Sequence, residues 1–115
     1  MAAGNVGEEV RRAWQQQRDG NSAAAMDAFE TIVQAHPEDI DARYGLGISQ
    51  KAAGHKDKAI QSFREALALV ESGQQAQDAQ KASSSEDTIR TPEDDRLTML
   101  ARMLNQRIAE TEGGG

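Results

Sequence analysis

An internal repeat of 34 residues constrains this chain more than any other feature of it. Aligning Asp19-Gly20-Asn21 with Ala53-Gly54-His55 brings Ala25 onto Ala59, Met26 onto Ile60 and Phe29 onto Phe63. It also brings Ile32 onto Ala66, Val33 onto Leu67 and Ala35 onto Leu69. Glycine, alanine and phenylalanine coincide, and the rest of the apolar positions coincide in kind. A period of this length marks supersecondary units, each burying its apolar face against the next.

Each unit reads as two helices. In the second, Asp39 predicts an N-cap for a helix from about 40 to 53, which Gly54 ends at the positive φ that glycine tolerates. A further helix, from about 56 to 71, places Ala59, Ile60, Phe63, Ala66, Leu67 and Val70 on one stripe, and Gly73 is expected to close it. In the first unit, helices near 6–19 and 22–35 flank Gly20-Asn21, and His36-Pro37 stops the second. Ala25 and Ala59 are small where two antiparallel helices must approach closely. Phe29 and Phe63, one turn later, fill the space beyond that contact.

Composition agrees with a helical reading and removes several classes of function. The 115 residues include one Trp, one Tyr and two Phe, so the core must come from Ala, Leu, Ile, Val and Met, a mixture that favours helices. There is no cysteine, hence no disulfide, thiolate nucleophile or Cys-ligated metal. The net charge of −6 argues against nucleic acid, whose phosphates need a basic face. It is spread unevenly: −4 over residues 1–39, +1 over 40–73 and −3 over 74–115. The longest apolar run, Ala66 to Val70, is far short of the roughly 20 residues of a membrane span. The first residues show no leader signature. A soluble, cytoplasmic protein without membrane insertion is expected.

On Leu46-Gly47, Gly54, Ala59, Phe63 and Ala66, the second unit resembles a tetratricopeptide repeat; Gly20, Ala25, Phe29 and Pro37 carry the likeness in the first. Both copies depart from the family pattern. Arg12-Ala13 stands where Leu-Gly is usual, and Trp14 lies off the usual aromatic position. Arg43 and Glu71 replace the leading Trp and closing Pro of the second copy. The resemblance covers about residues 6–73 and implies an all-α fold of antiparallel helix–turn–helix repeats. Such repeats wind as a right-handed superhelix, here with about five helices.

The expected segments are a flexible N-terminus (1–5), repeats at 6–39 and 40–73, a flexible polar linker (74–91), a capping helix (92–111) and a flexible Gly-rich tail (112–115). The linker contains one large aliphatic residue, Ile89. Its Gln/Ala part, 74–82, has an alternative reading as a continuation of the preceding helix, against which Gly73 argues. Thr91-Pro92-Glu93-Asp94 marks a helix start: an N-cap, a proline at the first position and acids in the first turn. Leu97, Leu100, Ala101, Leu104 and Ile108 then share one face, with Leu100-Ala101 spaced like Leu-Gly of a first repeat helix. A helix without a partner suits the cover that a stack's apolar end face requires.

No catalytic constellation emerges. His36 and His55 stand at helix ends without a second ligand at metal spacing. Ser83-Ser84-Ser85 lack a base, and Gly45 and Gly47 lie inside a helix with no phosphate-loop signature. A non-enzyme with no metal or cofactor is expected.

The family resemblance implies that the first helix of each pair lines a concave groove for a partner's peptide or helix. Carried over by position, that face comprises Val10, Trp14, Gln17 and Arg18, then Asp41, Tyr44, Ile48 and Lys51, and on the last helix Thr98, Arg102 and Asn105. Trp14 and Tyr44 have an alternative role as packing between helices, while Arg18, Lys51 and Arg102 would make a basic wall. Gly45 stands where some family members carry an Asn that grips a peptide carboxylate, which disfavours that mode. The expected function is protein interaction. The alternative is a homodimer, joined through an apolar end face or by exchange of helix 92–111.

Overall fold

The computed structural model describes residues 6–82 and 92–113. They form five helices and, among the described residues, no strand: α1 (Val6–Arg18), α2 (Ser22–Ala35), α3 (Ile40–Ala52), α4 (Lys56–Ala82) and α5 (Pro92–Gly113). The expectations for 1–5, for 83–91 with its serines and the Thr91 cap, and for 114–115 fall outside the described residues.

Gly20 and Gly54 make the turns inside the two repeats at φ of 89° and 92°, a backbone that costs glycine nothing. Asp39 caps α3 by accepting the Ala42 N–H at 2.9 Å. Neighbouring helices then pack in sequence order, and α1 also reaches α3.

Two apolar clusters result. The first joins Val10, Ala13, Ala25, Phe29 and Ile32 to Ala42 and Leu46, so that α3 closes the core of the first repeat. The second joins Ala59, Phe63, Ala66 and Val70 to Leu97, Leu104 and Ile108, so that α5 closes the core of the second. Both depend on missing side chains. A Cβ on Gly45 would stand 2.3 Å from the Phe29 ring, and one on Gly47 would stand 2.5 Å from the Phe63 ring. The two phenylalanines, both fully buried, lie directly on the α3 backbone. Beside them the amide of Gln50 accepts from the Ser62 hydroxyl at 2.7 Å, satisfying a buried polar pair.

One expected boundary is corrected. Gly73 does not end α4, which runs nine residues further to Ala82. Gly73 does not have a positive φ, and its bare backbone faces Leu97, whose Cδ1 would lie 3.3 Å from a Cβ there. A glycine inside a helix costs about 1 kcal/mol against alanine. The Gln/Ala-rich segment after it favours helix, and the Leu97 contact rewards continuation. The last part of α4 and the first part of α5 therefore form an antiparallel hairpin, with Arg64 and Glu112 paired further along the same two helices.

Both ends of the stack carry polar side chains. Ala42, Gly45, Leu46 and Ser49 are the buried α3 positions that meet the first repeat. Their α1 equivalents, 34 residues earlier, are Glu8, Arg11, Arg12 and Gln15, and Glu8 pairs with both arginines. At the other end α5 turns Asp95, Arg102 and Gln106 outward beside Met99, which is 64% exposed.

Replacing Gly45 by alanine should lower stability by about 1–3 kcal/mol despite the gain in helix propensity, because the methyl overlaps a buried ring. Urea denaturation followed by circular dichroism measures this, and an unchanged midpoint would refute the close approach.

Candidate functional site

All four aromatic residues of the chain form one ladder across the molecule. Trp14 meets Phe29 edge-on at 5.3 Å between ring centroids. On its other side it meets Tyr44 at 5.7 Å, and Tyr44 meets Phe63 at 6.0 Å. The buried phenylalanines anchor the ends and the two amphipathic rings surface between them. Contacts of this geometry contribute about 0.5–1.5 kcal/mol each beyond their area.

Around the ladder lies a face shared by α1, α3 and α5. Trp14 and Arg18 on α1 occupy the positions that Ile48 and Ala52 hold on α3, one repeat later. Tyr44 and Ile48 are half-buried against the second cluster. The Tyr44 hydroxyl accepts from Arg107 Nε at 3.4 Å, and Arg107 donates to Glu110 Oε1 at 2.7 Å. Lys51 Nζ lies 4.0 Å from the same carboxylate oxygen. Arg107 first, through its hydrogen bond, and Lys51 last, through its charge, hold the Glu110 carboxyl below the usual range.

The expected face residues divide accordingly. Trp14, Tyr44, Ile48 and Lys51 are brought together, with Arg18 exposed beside them and free of any ion pair among the described residues. Asp41 is exposed in the first turn of α3. Val10 is buried in the first cluster. Gln17 is half-buried, and its Oε1 has no hydrogen-bond partner. Thr98, Arg102 and Asn105 lie elsewhere. At about 100° per residue they stand roughly 180°, 140° and 160° around α5 from Arg107, and Asn105 bonds its own helix at Ala101 O, 3.0 Å away.

Arg107 and Glu110 take the place on this face expected for those three. Their spacing reads as an ordinary solvated ion pair one turn apart, so no local signal marks them. The rotation of α5 follows its fit to the second repeat: Leu97, Leu104 and Ile108 turn into the second cluster, which leaves Arg107 on the side of Tyr44.

His36 and His55 are exposed in the turns after α2 and α3. No described helix is long and apolar enough to cross a membrane.

A helical hairpin repeating at this period, with phenylalanine set on glycine and a ridge of first helices exposed, defines a class of helical-repeat proteins. The family model described as Tetratricopeptide repeat matches residues 10–39 and 41–70, more than half of the chain. The chain belongs to the tetratricopeptide repeat family. Compared with curated proteins and with solved structures, it finds no match.

Tyr44 serves packing through its ring and the shared face through its hydroxyl. Tyr44→Ala should cost about 2–3 kcal/mol, below the about 3–5 kcal/mol of a fully buried aromatic side chain because Tyr44 is half-buried. Tyr44→Phe should stay within about 0.5 kcal/mol of the parent. Thermal unfolding of the two variants distinguishes these roles; equal losses would place the energy in the Arg107 hydrogen bond instead.

Proposed function

We propose that this protein is a non-enzymatic interaction module whose α1–α3–α5 face receives a peptide or helix from a partner protein. Repeats of this family generally mediate protein–protein interaction. The observation that carries the reading here is the combination of Trp14 on α1 with Tyr44 and Ile48 on α3. These rings and the aliphatic side chain are held rigidly from below by buried phenylalanines, yet they remain partly open to solvent. Rigid aromatic anchors of this kind lose little conformational freedom on binding, and they are the residues that dominate interface energies.

Ile48 and Arg18 test the face with least disturbance of the core, since neither belongs to the fully buried set. Peptides selected from a displayed library against the wild-type domain should lose at least about tenfold in affinity for Ile48→Glu, a loss on the scale of one interface anchor. Arg18→Glu should weaken them less. Thermal melting close to wild type in both variants is required. Selected peptides indifferent to Ile48→Glu would place the binding surface elsewhere.

Self-association finds less support in the geometry. α5 already covers the second cluster, and Glu8, Arg11 and Arg12 line the opposite end. Light scattering coupled to size exclusion should give a mass near 12.4 kDa across a concentration series. A mass that doubles with concentration would favour exchange of α5 between two copies.

A further inference from the structure

The cations of the shared face are not all free. Lys51 and Arg107 belong to different helices and converge on one carboxylate, Glu110, at 4.0 and 2.7 Å. Arg18 adds a third positive charge on the same face, and no ion pair holds it among the described residues. Asp41, in the opposite, first turn of α3, is the acid at the other end. Around the apolar strip of Tyr44 and Ile48, the end toward the C-termini of α1 and α3 carries the cations Arg18, Lys51 and Arg107 against Glu110 and, in the turn after Arg18, Asp19. This is a local surplus of positive charge in a chain of net charge −6.

We infer that Glu110 acts as an internal stand-in for a carboxylate of the partner, and that the face selects an acidic segment carrying an apolar anchor. The inference rests on the groove reading above and specifies its ligand. Glu110 is exposed at the surface, and its attraction to Lys51 and Arg107 is screened, so a pair of this kind is worth little by itself. A partner carboxylate arriving with an aliphatic or aromatic side chain seated against Ile48 brings apolar burial that Glu110 lacks. It then exchanges one ion pair for another at small cost. Glu110 thus lowers affinity for acids alone, and only a segment with both features displaces it. Discrimination of this sort, by a built-in competitor, raises specificity at the expense of strength.

The probes are two fluorescein-labelled peptides that share one leucine and differ in four flanking residues, Glu in one and Gln in the other, read by fluorescence anisotropy at 50 and 300 mM salt, either side of physiological ionic strength. Wild type should prefer the Glu peptide, with the preference falling at high salt. Glu110→Gln should tighten the Glu peptide by about two- to five-fold, the scale of one exposed ion pair, and leave the Gln peptide unchanged. Lys51→Met should weaken the Glu peptide alone. The NMR signal of the Arg107 Nε–H should move when the Glu peptide is added and stay in place with the Gln peptide.

Equal binding of both peptides to wild type, lost in Ile48→Glu, would keep the groove and overturn the acidic preference. An unchanged or weaker Glu peptide with Glu110→Gln, at wild-type helicity, would overturn the stand-in role. Indifference of both peptides to Ile48→Glu would reject the groove reading together with the inference.

Discussion

Contact between phenylalanine rings and a bare helix backbone is the constraint on which this structure rests. α3 carries Gly45 toward one neighbour and Gly47 toward the other, and Phe29 and Phe63 settle on them from opposite sides. A helix with two interior glycines is locally weak, by about 1 kcal/mol for each. The weakness is offset because each missing side chain admits a ring that buries far more apolar surface than a methyl group. α3 thereby becomes the shared wall of both clusters, and the two repeats are joined through it. Ala25 and Ala59, fully buried, serve the same close approach one turn before each ring.

From that packing the exposed face follows. Once the phenylalanines are fixed, Trp14 and Tyr44 stack between them and their orientation is set from below. An interaction surface made from such side chains is already ordered before a partner arrives. The same sequence positions that make α3 apolar toward the first repeat are charged or amide residues in α1. One helical unit is thus used twice, with a different outward face at the end of the stack.

Much of this was legible in the chain. The 34-residue register, the glycine turns, the Asp39 cap and the proline start of the last helix are local or strictly periodic signals. They place helices without reference to anything distant. The aromatic face is legible in part: Trp14, Tyr44, Ile48 and Lys51 follow from repeat position, while the packing of both rings on the buried phenylalanines, with one side partly open to solvent, is seen only in the structure. Gly73 reads as a helix end because glycine terminates helices on average. Here its lack of a side chain admits Leu97 from a segment about 24 residues away in sequence. The spacing of Leu100-Ala101 places Thr98, Arg102 and Asn105 on the face as in a first repeat helix, whereas α5 seats Leu97, Leu104 and Ile108 in the second cluster and turns Arg107 to Tyr44.

What the sequence determined by itself is therefore the set of helices, their pairing within repeats and the small residues at which they touch. These are properties of neighbours in the chain, governed by backbone preference and a period of 3.6 residues. What only the tertiary structure decided is the docking of α5. Leu97, Leu104 and Ile108 seat against Ala59, Phe63, Ala66 and Val70, and the fit of those surfaces sets the rotation of the helix. That rotation brings Arg107 to the Tyr44 hydroxyl and Glu110 between two cations. No local preference encodes such a register, because it is fixed by the fit of two surfaces that come together only when the chain has folded.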